Sequence, residues 1–70
     1  MVQDSTRLRT GKNLKRLIKE HHYTQEEFAE LIYADATTVR KWLKYGINSL
    51  DTLDAIAKLF GISVMDILSE

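Results

Sequence analysis

The chain contains no cysteine and no proline, only three glycines, and no excess of charge of either sign. Without cysteine, disulfide staples, thiolate zinc sites and thiol catalysis are excluded. The lack of disulfides agrees with a cytoplasmic location. Long apolar runs are missing too. None approaches the roughly 20 residues needed to cross a bilayer, and the opening MVQDSTRLRT lacks the apolar centre of an export signal. Neither membrane insertion nor secretion is expected. With 70 residues the chain is too short for a (β/α)-barrel or a doubly wound nucleotide-binding fold, which leaves one domain around one small core. There is no glycine-rich phosphate loop and no recognisable nucleophile–base–orienter set, so no enzyme, small-molecule substrate or cofactor is expected. His21 and His22 are adjacent. On a helix they point about 100° apart and cannot share a metal in the i, i+4 manner, so no metal site is expected.

What is present is an ordinary globular composition, 44% apolar and 29% charged, too apolar for intrinsic disorder. Abundant Leu, Lys, Glu and Ala with no proline favour an all-α chain. The zero net charge hides strong segregation. Residues 7–19 carry six bases (Arg7, Arg9, Lys12, Lys15, Arg16, Lys19) and no acid, and residues 20–35 carry five acids (Glu20, Glu26, Glu27, Glu30, Asp35) and no base. Residues 36–46 return Arg40, Lys41 and Lys44, and residues 47–70 hold four acids against Lys58. Sequence-independent nucleic-acid binders usually show a large overall positive excess, which this chain lacks.

Periodicity and capping residues predict five helices. The first runs over about 6–21 with Leu8, Leu14, Leu17 and Ile18 on one stripe and the bases opposite. Residues 1–5 read as a flexible N-terminus and 6–70 as a single domain. Thr24 and Glu27 have capping-box spacing, with Tyr23 and Phe28 placed as a hydrophobic staple. Phe28, Leu31 and Ile32 follow as a buried stripe beside the small Ala29. Asp35 is a good N-cap for a third helix of about 36–44 carrying Val39, Trp42 and Leu43, ended by Gly46 and Asn48. Ser49 caps a fourth helix whose inner face is Leu50, Leu53, Ile56, Ala57 and Phe60, stopped by Gly61. Ser63 and Asp66 repeat the capping-box spacing, with Ile62 and Ile67 as staple, and open a short last helix. Ile62, Val64, Met65 and Leu68 form its apolar face, the best candidate for dimerisation.

Residues 25–44, QEEFAELIYADATTVRKWLK, pair a short helix, a tight turn and a second helix. This stretch resembles the helix-turn-helix of the phage repressor and Cro family, and the segment LDTLDAIAKLFGISVMDIL looks like that family's fourth and fifth helices, so the likeness covers about 10–68. It implies a compact five-helix domain in which Gln25 opens the motif, Ala29 lets two helices approach, and Val39 and Trp42 are buried. It also implies that the second helix enters a DNA major groove with Asp35, Ala36, Thr37, Arg40, Lys41 and Lys44 on its outer face. In that reading Gln25, Lys41 and Lys44 anchor phosphates, Arg40 reads a guanine edge, and Thr37 meets a thymine methyl or a phosphate. The basic face of the first helix is a further candidate for phosphate contact.

The chain departs from the pattern in informative places. Ala36 replaces a long hydrogen-bonding side chain, Asp35 brings negative charge near phosphates, and Glu26, Glu27 and Glu30 line the preceding helix. Tyr33 stands at the turn position where glycine supplies a positive φ, at a cost of about 1 kcal/mol if that geometry is kept. Aromatics amid mixed charge are typical protein-interface anchors. In size and sequence the chain also resembles most the small modulator-of-repression (antirepressor) proteins of temperate phages, a likeness that the charge pattern permits. These act on a CI-type repressor in the lysis–lysogeny switch, and Tyr33, Asp35, Trp42, Tyr45, Glu26 and Glu30 would bind that partner. The alternative is a direct, Cro-like operator binder using residues 36–44, and an antitoxin-like partnership is a third role.

Overall fold

In the computed structural model, which describes residues 4–69, five helices follow in order. They are α1 (Asp4–Glu20), α2 (Gln25–Leu31), α3 (Ala36–Tyr45), α4 (Leu50–Phe60) and α5 (Val64–Leu68). Among the described residues there is no strand, and the all-α, five-helix architecture is as the sequence implies. α1 begins at Asp4, ahead of the expected residue 6, while residues 1–3 of the expected flexible N-terminus lie outside the described residues.

Side-chain caps set the helix starts. Thr24 Oγ1 accepts from Glu27 N at 3.0 Å and Glu27 Oε1 accepts from Thr24 N at 2.8 Å. Ser63 and Asp66 exchange the same two bonds at 3.3 and 3.2 Å. Asp35 Oδ1 accepts from Thr38 N at 2.7 Å, and Ser49 Oγ accepts from Thr52 N at 3.3 Å. Each bond satisfies a backbone donor that the first turn leaves orphaned.

Three helix ends close in a common way, with the paired bonds of a Schellman turn. Tyr23 N and His22 N donate to Ile18 O and Lys19 O, Ala34 N and Tyr33 N to Ala29 O and Glu30 O, and Ile62 N and Gly61 N to Ala57 O and Lys58 O. The left-handed residue of each turn is His22 (φ 60°), Tyr33 (φ 59°) and Gly61 (φ 69°). Only one of the three is glycine. This corrects the placing of His21 and His22 on the first helix, which ends at Glu20. His21 instead lies in the turn, its ring 4.7 Å from that of Phe60.

The core draws on every helix: Leu14, Leu17 and Ile18 from α1, Phe28 and Ala29 from α2, and Val39 from α3 are buried with Ile47, Leu53, Ile56, Ala57 and Ile67. Phe28 stacks on Phe60 at 5.7 Å. Three leucines expected inside are exposed: Leu8, Leu31 and Leu50. At about 100° per residue, Leu8 stands roughly 120° around α1 from Leu14. Leu31 lies about 60° from Phe28 on the side away from Ala29, and Leu50 is the first residue of α4. Each is about half exposed and forgoes a corresponding part of the roughly 1.5–3 kcal/mol of full burial.

The inward positions of α1 ahead of Leu14 are taken by small and polar residues that grip other elements. Thr10, fully buried, donates through Oγ1 to Arg7 O and accepts from Ile47 N at 2.9 Å. Asn13 Nδ2 donates to Ile67 O at 2.7 Å and to Ser69 O. A Cβ at Gly11 would stand 2.8 Å from Trp42 O, so α1 lies directly on the backbone of α3. Gly46, at φ 86°, has no room for a Cβ against the Arg7 backbone. These contacts fix the C-terminal end of α3 against α1.

Candidate nucleic-acid interface

α2 and α3 pack on each other, with Ala29 of α2 and Val39 of α3 buried. With Val39 fully buried, the 3.6-residue period directs Thr37, Arg40, Lys41 and Lys44 outward, and all four are exposed. Arg40 Nη2 makes a loose 3.4 Å hydrogen bond to Thr37 Oγ1, one turn back along this face. Ala36, the first residue of α3, is half-buried and offers only a methyl group there.

Gln25, at the start of α2, meets this face. Lys15, Gln25, Arg40, Leu43 and Lys44 line a single shallow groove. Lys15 and Lys19 also flank Thr24 and Gln25 in the adjoining groove. Of the basic α1 face, then, Lys15 is carried to Arg40 and Lys44, and Lys19 lines the adjoining groove with Leu43. The place of Lys15 depends on the α1–α3 crossing, which has no local signature beyond the run of bases itself.

Asp35 caps α3 through its carboxylate. The Thr38 backbone N–H, with the Thr38 side chain, holds that carboxyl below the usual carboxylate range, and Lys41 and Arg40 add to the effect. The acid that departs from the family pattern is thus engaged in starting the helix that carries the bases, where an anion also meets the positive end of the helix dipole.

The residues read as protein-binding do not form one patch. Tyr33 is 98% exposed and lies by Leu31, Ile32, Ala55, Lys58 and Leu59. Glu30 shares the next groove with Tyr23, Glu27 and Leu31, and Glu26 is exposed on the same helix. Tyr45 sits at the far end of α3, about 15 Å from Asp35 by helix rise, where Lys44 Nζ stands 5.3 Å from its ring centroid. Trp42 is half-buried against the core.

Comparison with known proteins agrees with this geometry. Residues 13–69 match the Cro/C1-type helix-turn-helix DNA-binding domain. The chain is 36% identical over 63 residues, 89% of its length, to the HTH-type transcriptional activator BcrR of Enterococcus faecalis. It is also 36% identical over 62 residues, 86% of its length, to the antitoxin PezA of Streptococcus pneumoniae. It spans 26% and 39% of the lengths of these two relatives. No solved structure gives a significant match. Among the described residues, no helix is long and apolar enough to cross a membrane.

Proposed function

The chain belongs to the Cro/C1-type helix-turn-helix DNA-binding domains, a family of transcription regulators, and on that premise we propose that it binds an operator with α3 in the major groove. The observation that carries this reading is the meeting of Lys15, Gln25, Arg40 and Lys44 around one groove beside the exposed face of α3. Arg40 presents a planar fork able to take guanine O6 and N7 together, and Thr37 stands one turn nearer the helix start for a thymine methyl or a phosphate. Lys15, Gln25, Lys41 and Lys44 hold the phosphates on either side of the groove. A gel shift on the operator at two salt concentrations tests it. Arg40→Ala is expected to cost about 1–3 kcal/mol at its base position, while Lys44→Ala weakens all sequences alike and lowers the salt slope by about one. Equal binding by the parent and Arg40→Ala would refute this assignment.

A second reading, a phage modulator that captures a CI-type repressor, is favoured by one observation. Tyr33 keeps a left-handed backbone while its side chain is almost wholly in solvent. In that reading the Tyr33 side, with Glu26 and Glu30 nearby, meets the basic face of the repressor. Loss of repressor binding in Tyr33→Ala, with operator binding intact, is its expected signature.

A further inference from the structure

A tyrosine in left-handed backbone is strained where glycine is not, and strain of this kind collects where a surface is used. At φ 59° and 98% exposure Tyr33 contributes nothing to the core. Around it the surface is apolar: Leu31 is 45% exposed, and Ala55 and Leu59 border the same groove. Leu31 also joins this groove to the next, whose polar wall is Glu27 and Glu30. Lys58, the base in the Tyr33 groove, is paired with Asp54 at 3.0 Å. Among the described residues no base pairs with Glu30. The face is therefore an apolar channel with an acidic wall.

The complementary surface lies on the same molecule. Leu8 is 52% exposed on α1 and shares a shallow groove with Ser5, Arg9 and Lys12, at one end of a stretch of six bases without an acid. An exposed leucine in a basic surround matches an apolar channel with an acidic wall in polarity and in sign of charge. A chain whose net charge is zero meets no overall repulsion from its own copies.

We infer that the Tyr33 channel docks a second copy of this chain, with Leu8 of one molecule against Leu31, Tyr33 and Leu59 of the next and Lys12 facing Glu30. This inference names an occupant for the protein-docking reading of Tyr33 and does not depend on operator binding. The two patches are unlike, so each contact pairs the Leu8 face of one molecule with the Tyr33 channel of the other, and a closed pair needs two such contacts related by a twofold axis.

The test is sedimentation of the purified chain without DNA, from micromolar to millimolar concentration. Association is expected to grow with concentration and to weaken with salt, because charges face each other across the contact. Tyr33→Gly, which keeps the turn because glycine adopts this φ freely, is expected to weaken association about tenfold or more. Glu30→Lys and Lys12→Glu each place like charges together and abolish association. An equimolar mixture of the two variants restores it, since each supplies the face that the other lacks. A chain that stays monomeric throughout overturns the self-docking and leaves the repressor reading untouched. Association that survives Tyr33→Gly, or that the mixture does not restore, overturns it as well.

Discussion

Thr10→Val tests how α3 is held. The substitution is nearly isosteric and replaces the buried hydroxyl with a methyl group, removing the oxygen that accepts from Ile47 N at 2.9 Å. Ile47 is itself fully buried, so its amide is left without that partner and out of reach of solvent. A buried donor stranded in this way costs about 1–3 kcal/mol. For 70 residues the total stability is roughly 3.5–10 kcal/mol, so the loss is a large fraction of what holds the fold. The unfolding entropy of a chain this size is about 0.15 kcal/mol/K, which converts the loss into a Tm lowered by about 7–20 °C. Thermal unfolding followed by circular dichroism measures it. Thr10→Ser, which keeps the hydroxyl and drops a methyl, is the control and is expected to melt above Thr10→Val. A Thr10→Val protein that melts within about 2 °C of the parent would refute the claim that this hydroxyl anchors the segment after α3.

Two further outcomes follow from the backbone and from the cap. Gly46→Ala meets both a positive φ and the Arg7 backbone, whereas Gly61→Ala meets a positive φ with nothing within 4 Å of the new Cβ. Gly61→Ala is therefore expected to cost about 1 kcal/mol and to melt cooperatively, while Gly46→Ala costs several times more. Equal melting temperatures for the two would contradict the close α1–Gly46 approach. Asp35 has a folded pKa below its unfolded value, set first by the Thr38 backbone N–H. Its contribution is complete above about pH 4 and disappears as pH falls through the folded pKa. In urea titrations between neutral and strongly acid pH, Asp35→Asn is expected to lose less stability than the parent over that acid range.

Helix ends were legible in the sequence because they are local. Thr24 with Glu27, Ser63 with Asp66, and the single caps Asp35 and Ser49 need only neighbours three residues away, and all four starts are where spacing puts them. The exposure of Leu8, Leu31 and Leu50 was not legible, since an apolar residue near a stripe reads as part of it until the partner helix is in place. The burial of Thr10, Gly11 and Asn13 was hidden for the converse reason. Their reward lies in Ile47, in the α3 backbone and in the α5 carbonyls, between 30 and 60 residues away. At the candidate site, the outward set Thr37, Arg40, Lys41 and Lys44 follows from one buried valine and the helical period. Its union with Lys15 follows only from the crossing of α1 over α3. Tyr33 was singled out by residue type at a turn position, and the positive φ is present. Its separation from Tyr45 along α3 comes from helix geometry that a list of aromatics does not contain.

The zero net charge that argued against nucleic acid is the wrong measure for a molecule of this size. Its principal extents are 27 × 23 × 19 Å, whereas the screening length at physiological salt is about 8 Å. A phosphate at the groove lined by Lys15, Arg40 and Lys44 therefore responds most to the charges around that groove and less to those more than a screening length off, whatever the net charge of the whole chain. Glu27 and Glu30 line a different groove from Arg40 and Lys44. Asp35, the acid at the head of α3, is committed to its cap. The groove is thus lined by three bases and no acid, although Asp35 caps the head of α3 and Glu26 follows Gln25 in the chain. The balance shifts at low salt, where a screening length of about 30 Å spans the whole molecule and the acids also act on the phosphates. Operator affinity is then expected to rise with falling salt along the usual line and to flatten at the lowest concentrations.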